Sequence, residues 1–293
     1  VSINYPFILI IALFLGIALV YSLAVKRRNI FISLIPFVSV VVLFVVMISF
    51  YNGTGKGKID VTYVNVNTSS DMLVLTDNVG NAIICDVGNG SNTSYYKALD
   101  VMYDARAVDV RAIVLTKYLN YHNSSLQMMF TKEKVHELWL PYPKNEDDLG
   151  IMKMLVSKAE TYGVKVFIYE DGDALSLFEN TNMRINNYSI DRSVKPISTV
   201  CIITDKEVLT YCSSAYNECD GISEIERRLR NSNFIIFGDS GPNLKTPYTV
   251  PENDRTEYIV FSNETRASYY ESSGMDGIEY RVVPDWCRIS LDE

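Results

Sequence analysis

The sequence predicts an α/β protein in two parts, a two-helix membrane segment followed by a four-layer αββα domain. Three observations predict it. Residues 6–25 and 30–51 each run about twenty residues without a charged side chain, long enough as helices to cross roughly 30 Å of hydrocarbon. Beyond residue 58, two successive sets of short strands, each accompanied by helices, show no tandem repeat period. Within the first set lies a long amphipathic stretch in which Leu149, Met152, Leu155, Val156, Ala159 and Tyr162 recur at spacings of three and four, as in a helix packed on a sheet.

The first apolar run lacks a basic leader and is followed by Lys26, Arg27 and Arg28, so it reads as a span and not as a cleaved signal. Four or five residues join it to the second run, which makes a helical hairpin with its basic turn on the cytoplasmic side. Val1 and the domain after residue 58 then face outward. The chain has no initiator Met and reads as the C-terminal part of a longer membrane protein, with the lipid bilayer and other helices of that chain as partners. Residues 1–58 form the hairpin and its Gly-rich exit, and residues 59–293 form one domain.

Within that domain, strands are expected at Val61 to Val66, Met72 to Thr76 and Asn81 to Asp86, separated by polar turns. A helix near Tyr95 to Tyr103 leads to strand Arg111 to Leu115, helix Ser124 to Phe130 and strand Val135 to Leu140. Helix Glu146 to Tyr162 and strand Lys165 to Tyr169 complete the first set. The second set comprises strands Met183 to Tyr188, Thr199 to Thr204 and Val208 to Cys212, helix Ser223 to Leu229, and strands Phe234 to Phe237 and Tyr258 to Ser262. A last short strand is expected near Ile278 to Val282.

Charge narrows the function. The first 58 residues hold five basic side chains and no acidic one, which leaves 22 basic and 35 acidic residues, a net charge of −13, in residues 59–293. Such a domain repels phosphate, so a broad nucleic-acid surface is excluded. Arg227, Arg228 and Arg230 form the compact basic cluster that offers a local phosphate contact. Five cysteines are too few for a disulfide scaffold at this length, although Cys212 and Cys219 are close enough for a local bridge. Seven Asn-x-Ser/Thr triplets arise readily in so Asn-rich and Ser-rich a chain and receive no role.

Several motifs then follow one another in a familiar order. Val61-Thr-Tyr-Val-Asn-Val-Asn-Thr-Ser-Ser-Asp71 and Ile83-Ile-Cys-Asp-Val-Gly88 resemble the opening of the outer domain of DNA-internalisation competence proteins, the ComEC family. In that family the first strand ends in Asp-Val-Gly-Gln-Gly-Asp, here degraded to Asn65 to Ser70, whereas Asp86-Val87-Gly88 is intact. Val110-Arg-Ala-Ile-Val-Leu-Thr116-Lys-Tyr-Leu-Asn-Tyr-His122 is similar to the strand and metal loop of a metallo-β-lactamase fold. Val208 to Cys212 resembles its next ligand strand, and Phe234-Ile-Ile-Phe-Gly-Asp-Ser-Gly-Pro242 its Gly-His-His-Gly-Ser loop.

What the resemblance implies is a domain of that fold whose ancestral centre would hold zinc or manganese. Matched residue by residue, the ligand positions fall on Asp86, Lys117, Leu119, Tyr121, His122, Cys212, Asp239 and Ser240. A dinuclear hydrolytic centre needs several imidazoles and carboxylates around ions roughly 3.5–4 Å apart. This chain has two histidines in all, His122 and His136. No catalytic residue, metal or cofactor is therefore assigned. Cys212 has no histidine at a known spacing to activate it, and Asp104, Asp109 and Glu146 to Asp148 read as loop and helix-start carboxylates. The expected function is a non-catalytic extracytoplasmic domain of a competence-type membrane protein, touching single-stranded DNA indirectly. A membrane-anchored binding or structural module unrelated to DNA, and a metal-dependent hydrolase with an atypical site, are the alternatives.

Overall fold

The computed structural model describes residues 16, 58–67, 70–77, 79–88, 91–118, 123–190, 196–214, 219–240, 255–264, 267, 279–283 and 285–292. The chain divides into two units, Val1–Lys56 and Gly57–Glu293. The hairpin expected over residues 6–51 lies outside the described residues, Gly16 apart. Among the described residues no helix is long and apolar enough to cross a membrane.

The second unit is built on two seven-stranded sheets. In the first, β1 (Lys58–Asn67), β2 (Ser70–Asp77), β3 (Asn81–Cys85), β4 (Asp109–Val114), β5 (Val135–Pro141) and β6 (Lys165–Tyr169) lie side by side in that order. The first three form an antiparallel meander, and β3 to β6 are parallel, each crossover carried by a helix. These helices are α1 (Asn92–Asp104), α2 (Asn123–Lys132) and α3 (Glu146–Thr161). In α3, Asn145 caps the first turn by accepting the Asp148 N–H at 2.8 Å, and Glu146, Asp147 and Asp148 lie at its positive end.

The second sheet follows with β7 (Ala174–Phe178), β8 (Thr181–Tyr188), β9 (Ile197–Ile203) and β10 (Val208–Cys212), then α4 (Ile222–Arg230), β11 (Phe234–Phe237), β12 (Tyr258–Phe261) and β13 (Glu279–Val282). Their order in the sheet is β13-β12-β11-β10-β9-β8-β7. The last strand, β14 (Trp286–Asp292), returns to the first sheet and pairs antiparallel with β1.

The expected elements are all present where described, with ends shifted by at most three residues. Two strands escaped the reading, β7 and β14. In β7 the pairing register shifts between Ser176 and Phe178, which breaks the alternation that marks a strand. β14 does alternate, burying Cys287, Ile289 and Leu291, but the sequence reading ended its last strand at Val282.

The inward faces meet in one apolar layer, where Val61, Leu73 and Ile83 of the first sheet meet Ile185, Val200 and Ile236 of the second. Outside the first sheet, α1, α2 and α3 cover a second apolar cluster, and α4 covers a smaller one on the second sheet. The αββα layering thus follows from strands that are apolar on both faces. All five cysteines are free thiols, so the Cys212–Cys219 bridge does not form.

Candidate functional site

Strand direction assembles the site. The C-terminal ends of β3, β4, β10 and β11 and the start of β2 reach the same end of the two sheets, the arrangement that places loops over the ends of parallel strands. Asp86 follows β3, Lys117 follows β4, Cys212 ends β10, and Asp239 and Ser240 follow β11. Leu119, Tyr121 and His122 lie outside the described residues.

Asp86 adopts a left-handed conformation at φ 61°. Its backbone N–H reaches the Val114 carbonyl at 2.8 Å, and both carboxylate oxygens are taken by Thr116, from the backbone N–H at 2.8 Å and the hydroxyl at 2.7 Å. Burial pushes the Asp86 carboxyl upward, against the Lys117 ammonium and the Thr116 hydrogen bonds, and the upward push prevails. Two residues on, Gly88 sits at φ 58°, and a Cβ there would come within 2.7 Å of Ser94 Oγ and 2.8 Å of Val66 Cγ2. The motif that survives intact in the sequence therefore clamps the β3 and β4 ends together. Gly88→Ala should cost about 1–3 kcal/mol in urea unfolding, from backbone strain plus the forced contact.

Lys117 is buried, with its Nζ donating to the Ser240 carbonyl at 3.0 Å and so linking the first sheet to the second. Asp71 is the other link. Its Oδ2 accepts the Tyr63 hydroxyl at 3.2 Å and the Asp239 N–H at 2.8 Å, and its Oδ1 accepts the Tyr211 hydroxyl at 2.7 Å. The Tyr211 and Ser240 hydroxyls lie 2.8 Å apart. Burial, and then the Asp71 charge, push both tyrosines well above the ordinary phenol range. Gly238 is required by this packing, since a Cβ would lie 2.1 Å from Asp71 Oδ2 and 2.5 Å from the Tyr211 ring.

The remaining matched positions are turned to structural partners. The Cys212 thiol, fully buried, donates to the Ser214 carbonyl at 3.1 Å. Asp239 Oδ2 accepts from Asn263 Nδ2 at 3.2 Å. The outcome is a chain of donors and acceptors running from Asp86 through Thr116, and from Lys117 through Ser240 and Tyr211 to Asp71.

Sequence reasoning missed Asp71, Tyr63 and Tyr211 as members of this site. Asp71 closes the degraded first motif, the one signal that was available, whereas the two tyrosines resemble any inward-facing strand residue. The arginine cluster is also rearranged. Arg228 turns inward, donating to Glu224 Oε1 at 2.8 Å and to the Cys201 sulfur at 3.3 Å, so Arg227 and Arg230 are left as its exposed members. Exposed His136 meets Asp109 at 2.8 Å, and burial of that carboxyl is outweighed by Lys134 and His136, which hold it below its ordinary range.

No protein-family profile matches this chain, and no curated protein does. Solved structures do. A metallo-beta-lactamase fold protein, YhfI from Bacillus subtilis, superposes with a TM-score of 0.52 at 10% identity, over 80% of this chain and 100% of that one. CmlA from Streptomyces venezuelae, a diiron beta-hydroxylase, superposes with a TM-score of 0.51 at 9% identity, over 80% of this chain and 54% of that one. Residues 58–292 thus have the mixed α/β, two-sheet metallo-β-lactamase-like fold.

The metal centre that this fold implies does not fit the described members of the donor set, Asp86, Lys117, Cys212, Asp239 and Ser240. The buried Lys117 Nζ is spent on the Ser240 carbonyl, the Asp86 oxygens are both engaged, and the Cys212 thiol points at a carbonyl. Among the described residues, no group of three or more His, Cys, Asp or Glu side chains could hold an ion.

Proposed function

We propose that residues 59–293 are the non-catalytic, extracytoplasmic metallo-β-lactamase-like domain of a competence-type integral membrane protein associated with DNA uptake. The observation that carries the non-catalytic part is the buried Lys117 ammonium bonded to Ser240, where the resemblance puts a metal ligand and its loop. A lysine at that matched position acts on Asp86 as a neighbouring cation and is not among the residue types that ligate zinc. The DNA-uptake part is supported by the order of the motifs and by the two apolar runs that precede them. The net charge of −13 supports a domain that does not hold DNA by itself.

Two measurements test this reading. The full chain, supplied with zinc or manganese, is expected to show no metal-dependent cleavage of bis-p-nitrophenyl phosphate or of a fluorescent oligonucleotide. Turnover that needs metal and disappears in His122→Ala would replace the reading with an atypical hydrolase. In parallel, anisotropy with labelled single-stranded DNA at about physiological ionic strength should show weak, salt-sensitive binding. Tight binding lost in Arg227→Ala/Arg230→Ala would give the domain a direct part in handling DNA.

A further inference from the structure

Among the described residues the two open sheets leave four edge strands, β14 and β6 in the first and β13 and β7 in the second. An unguarded edge is a template for a further strand, and three of these four are guarded. On β14, the Arg288 guanidinium lies 5.7 Å from the centre of the Trp286 ring, and the Asp292 N–H and carbonyl are taken by Glu207 and Thr204. β13 carries exposed Glu279 and Arg281 within its four residues. β7 is broken by its register shift between Ser176 and Phe178. β6 has one charge, Lys165, at its first position, and then Val166-Phe167-Ile168, with Phe167 38% and Ile168 50% exposed.

The hydrogen bonds at its two ends define what β6 leaves open. The Tyr169 carbonyl accepts the Tyr142 N–H at 2.8 Å, so Tyr169 and, by alternation along a strand, Phe167 turn their backbone groups toward β5. Val166 and Ile168 therefore turn theirs to the open side. The next residues facing that way are already bonded within the domain. The Val164 N–H donates to the Ala159 carbonyl at 3.0 Å, the Glu170 N–H donates to Asp173 Oδ2 at 2.9 Å, and the Glu170 carbonyl accepts the Asp173 N–H at 3.1 Å. The open window is thus two residues long, with Phe167 between them, its ring stacked on Trp139 at 4.7 Å.

We propose that this window pairs with the same window of a second copy of the chain, antiparallel about a two-fold axis at Phe167, joining two seven-stranded sheets into one. In that register Val166 exchanges both backbone hydrogen bonds with the partner subunit's Ile168, and Ile168 with the partner subunit's Val166, which uses the open groups of both edges. Phe167 faces the partner subunit's Phe167 at a position without ladder bonds, where opposite side chains come closest. A register centred on Ile168 would instead set Val166 against Glu170, whose groups are taken. Antiparallel pairing also brings Lys165, at the start of each strand, toward the acidic turn of Glu170 and Asp171 at the end of the other. Near these groups, Glu137 accepts from Trp139 Nε1 and Asp171 pairs with Lys144. A second copy suits so short a window, because symmetry makes each bond twice and satisfies both edges. An extended peptide of another protein would leave most of its own backbone groups unpaired.

The test uses the full chain in a mild detergent, across a range of concentrations, because one strand edge buries less than the roughly 1,200 Å² of a standard interface and the dimer is weak. Under a thiol oxidant such as diamide, Phe167→Cys should give a disulfide-linked dimer, the native cysteines being buried. Val79→Cys, exposed at a turn of the first sheet, measures random collision. Equal cross-linking at the two positions, or none at 167, overturns the pairing. In sedimentation equilibrium, Ile168→Pro, which removes an N–H turned to the open side, and Ile168→Lys, which puts a charge on the edge, should each weaken the dimer by about tenfold or more. Thermal midpoints near the parent's would show that both variants keep the fold. A dimer that both variants leave intact is held elsewhere on the chain and overturns the proposal. A parent that stays monomeric at every concentration overturns it too, and leaves the edge to a strand of another protein.

Discussion

Lys117→Ala should destabilise the domain by about 3–5 kcal/mol, the cost of removing one partner from a buried charge set. The ammonium is buried, bridges the two sheets through the Ser240 carbonyl, and is the cation that opposes the burial of Asp86. Its loss orphans a carbonyl and leaves Asp86 with the Thr116 hydrogen bonds alone. The pH dependence has a definite sign. The folded Asp86 carboxyl sits above its ordinary value, so protonation favours the folded state, and that contribution is lost as pH rises from the ordinary carboxylate value through the folded one. Without Lys117 the carboxyl moves further up. The deficit of Lys117→Ala is therefore expected to be largest at neutral pH and to shrink on acidification through the Asp86 titration. Urea midpoints of the variant and the parent across that range measure it, and a deficit that does not change with pH would separate Lys117 from Asp86. Added zinc should leave the parent's midpoint unmoved, whereas a metal-stabilised fold would gain with ligand concentration.

Asp71→Ala is expected to cost a similar amount, on the order of 3–5 kcal/mol, because it leaves three donors without their acceptor. The hydroxyls of Tyr63 and Tyr211 and the Asp239 N–H all converge on this carboxylate inside the inter-sheet layer. Asp71→Asn separates hydrogen bonding from space filling. An amide oxygen at the Oδ2 position still accepts from Tyr63 and Asp239, and the amide nitrogen can donate to Tyr211, whose own proton then turns to Ser240 Oγ at 2.8 Å. The asparagine variant should accordingly lose about 1 kcal/mol. Thermal unfolding of the two variants decides it, and equal losses would show that the carboxylate's charge, not its geometry, holds the sheets together.

Much of this architecture is legible in the chain because it depends on local chemistry. Strand alternation, the i, i+3, i+4 apolar face of α3, its Asn145 cap and acidic first turn, and the excess of carboxylates are all properties of neighbouring residues. So is the scarcity of imidazoles at the matched positions, where His122 alone is a histidine, since a ligand that is not in the sequence cannot be supplied by folding. What tertiary structure alone decided is which distant groups meet. The alternation of Cys287, Ile289 and Leu291 marks a strand, but its pairing with β1, some two hundred residues earlier in the chain, follows from an open sheet edge that exists only once the meander has formed. Asp71 becomes a hub because Tyr211 and Asp239 arrive from the other sheet, and Arg228 leaves the basic cluster because Glu224 and Cys201 draw it inward. Lys117 is the sharpest case. As a letter in a metal-loop pattern it signals a missing ligand, whereas its partners Ser240 and Asp86 are set by the meeting of strand ends from two sheets, which no local pattern encodes.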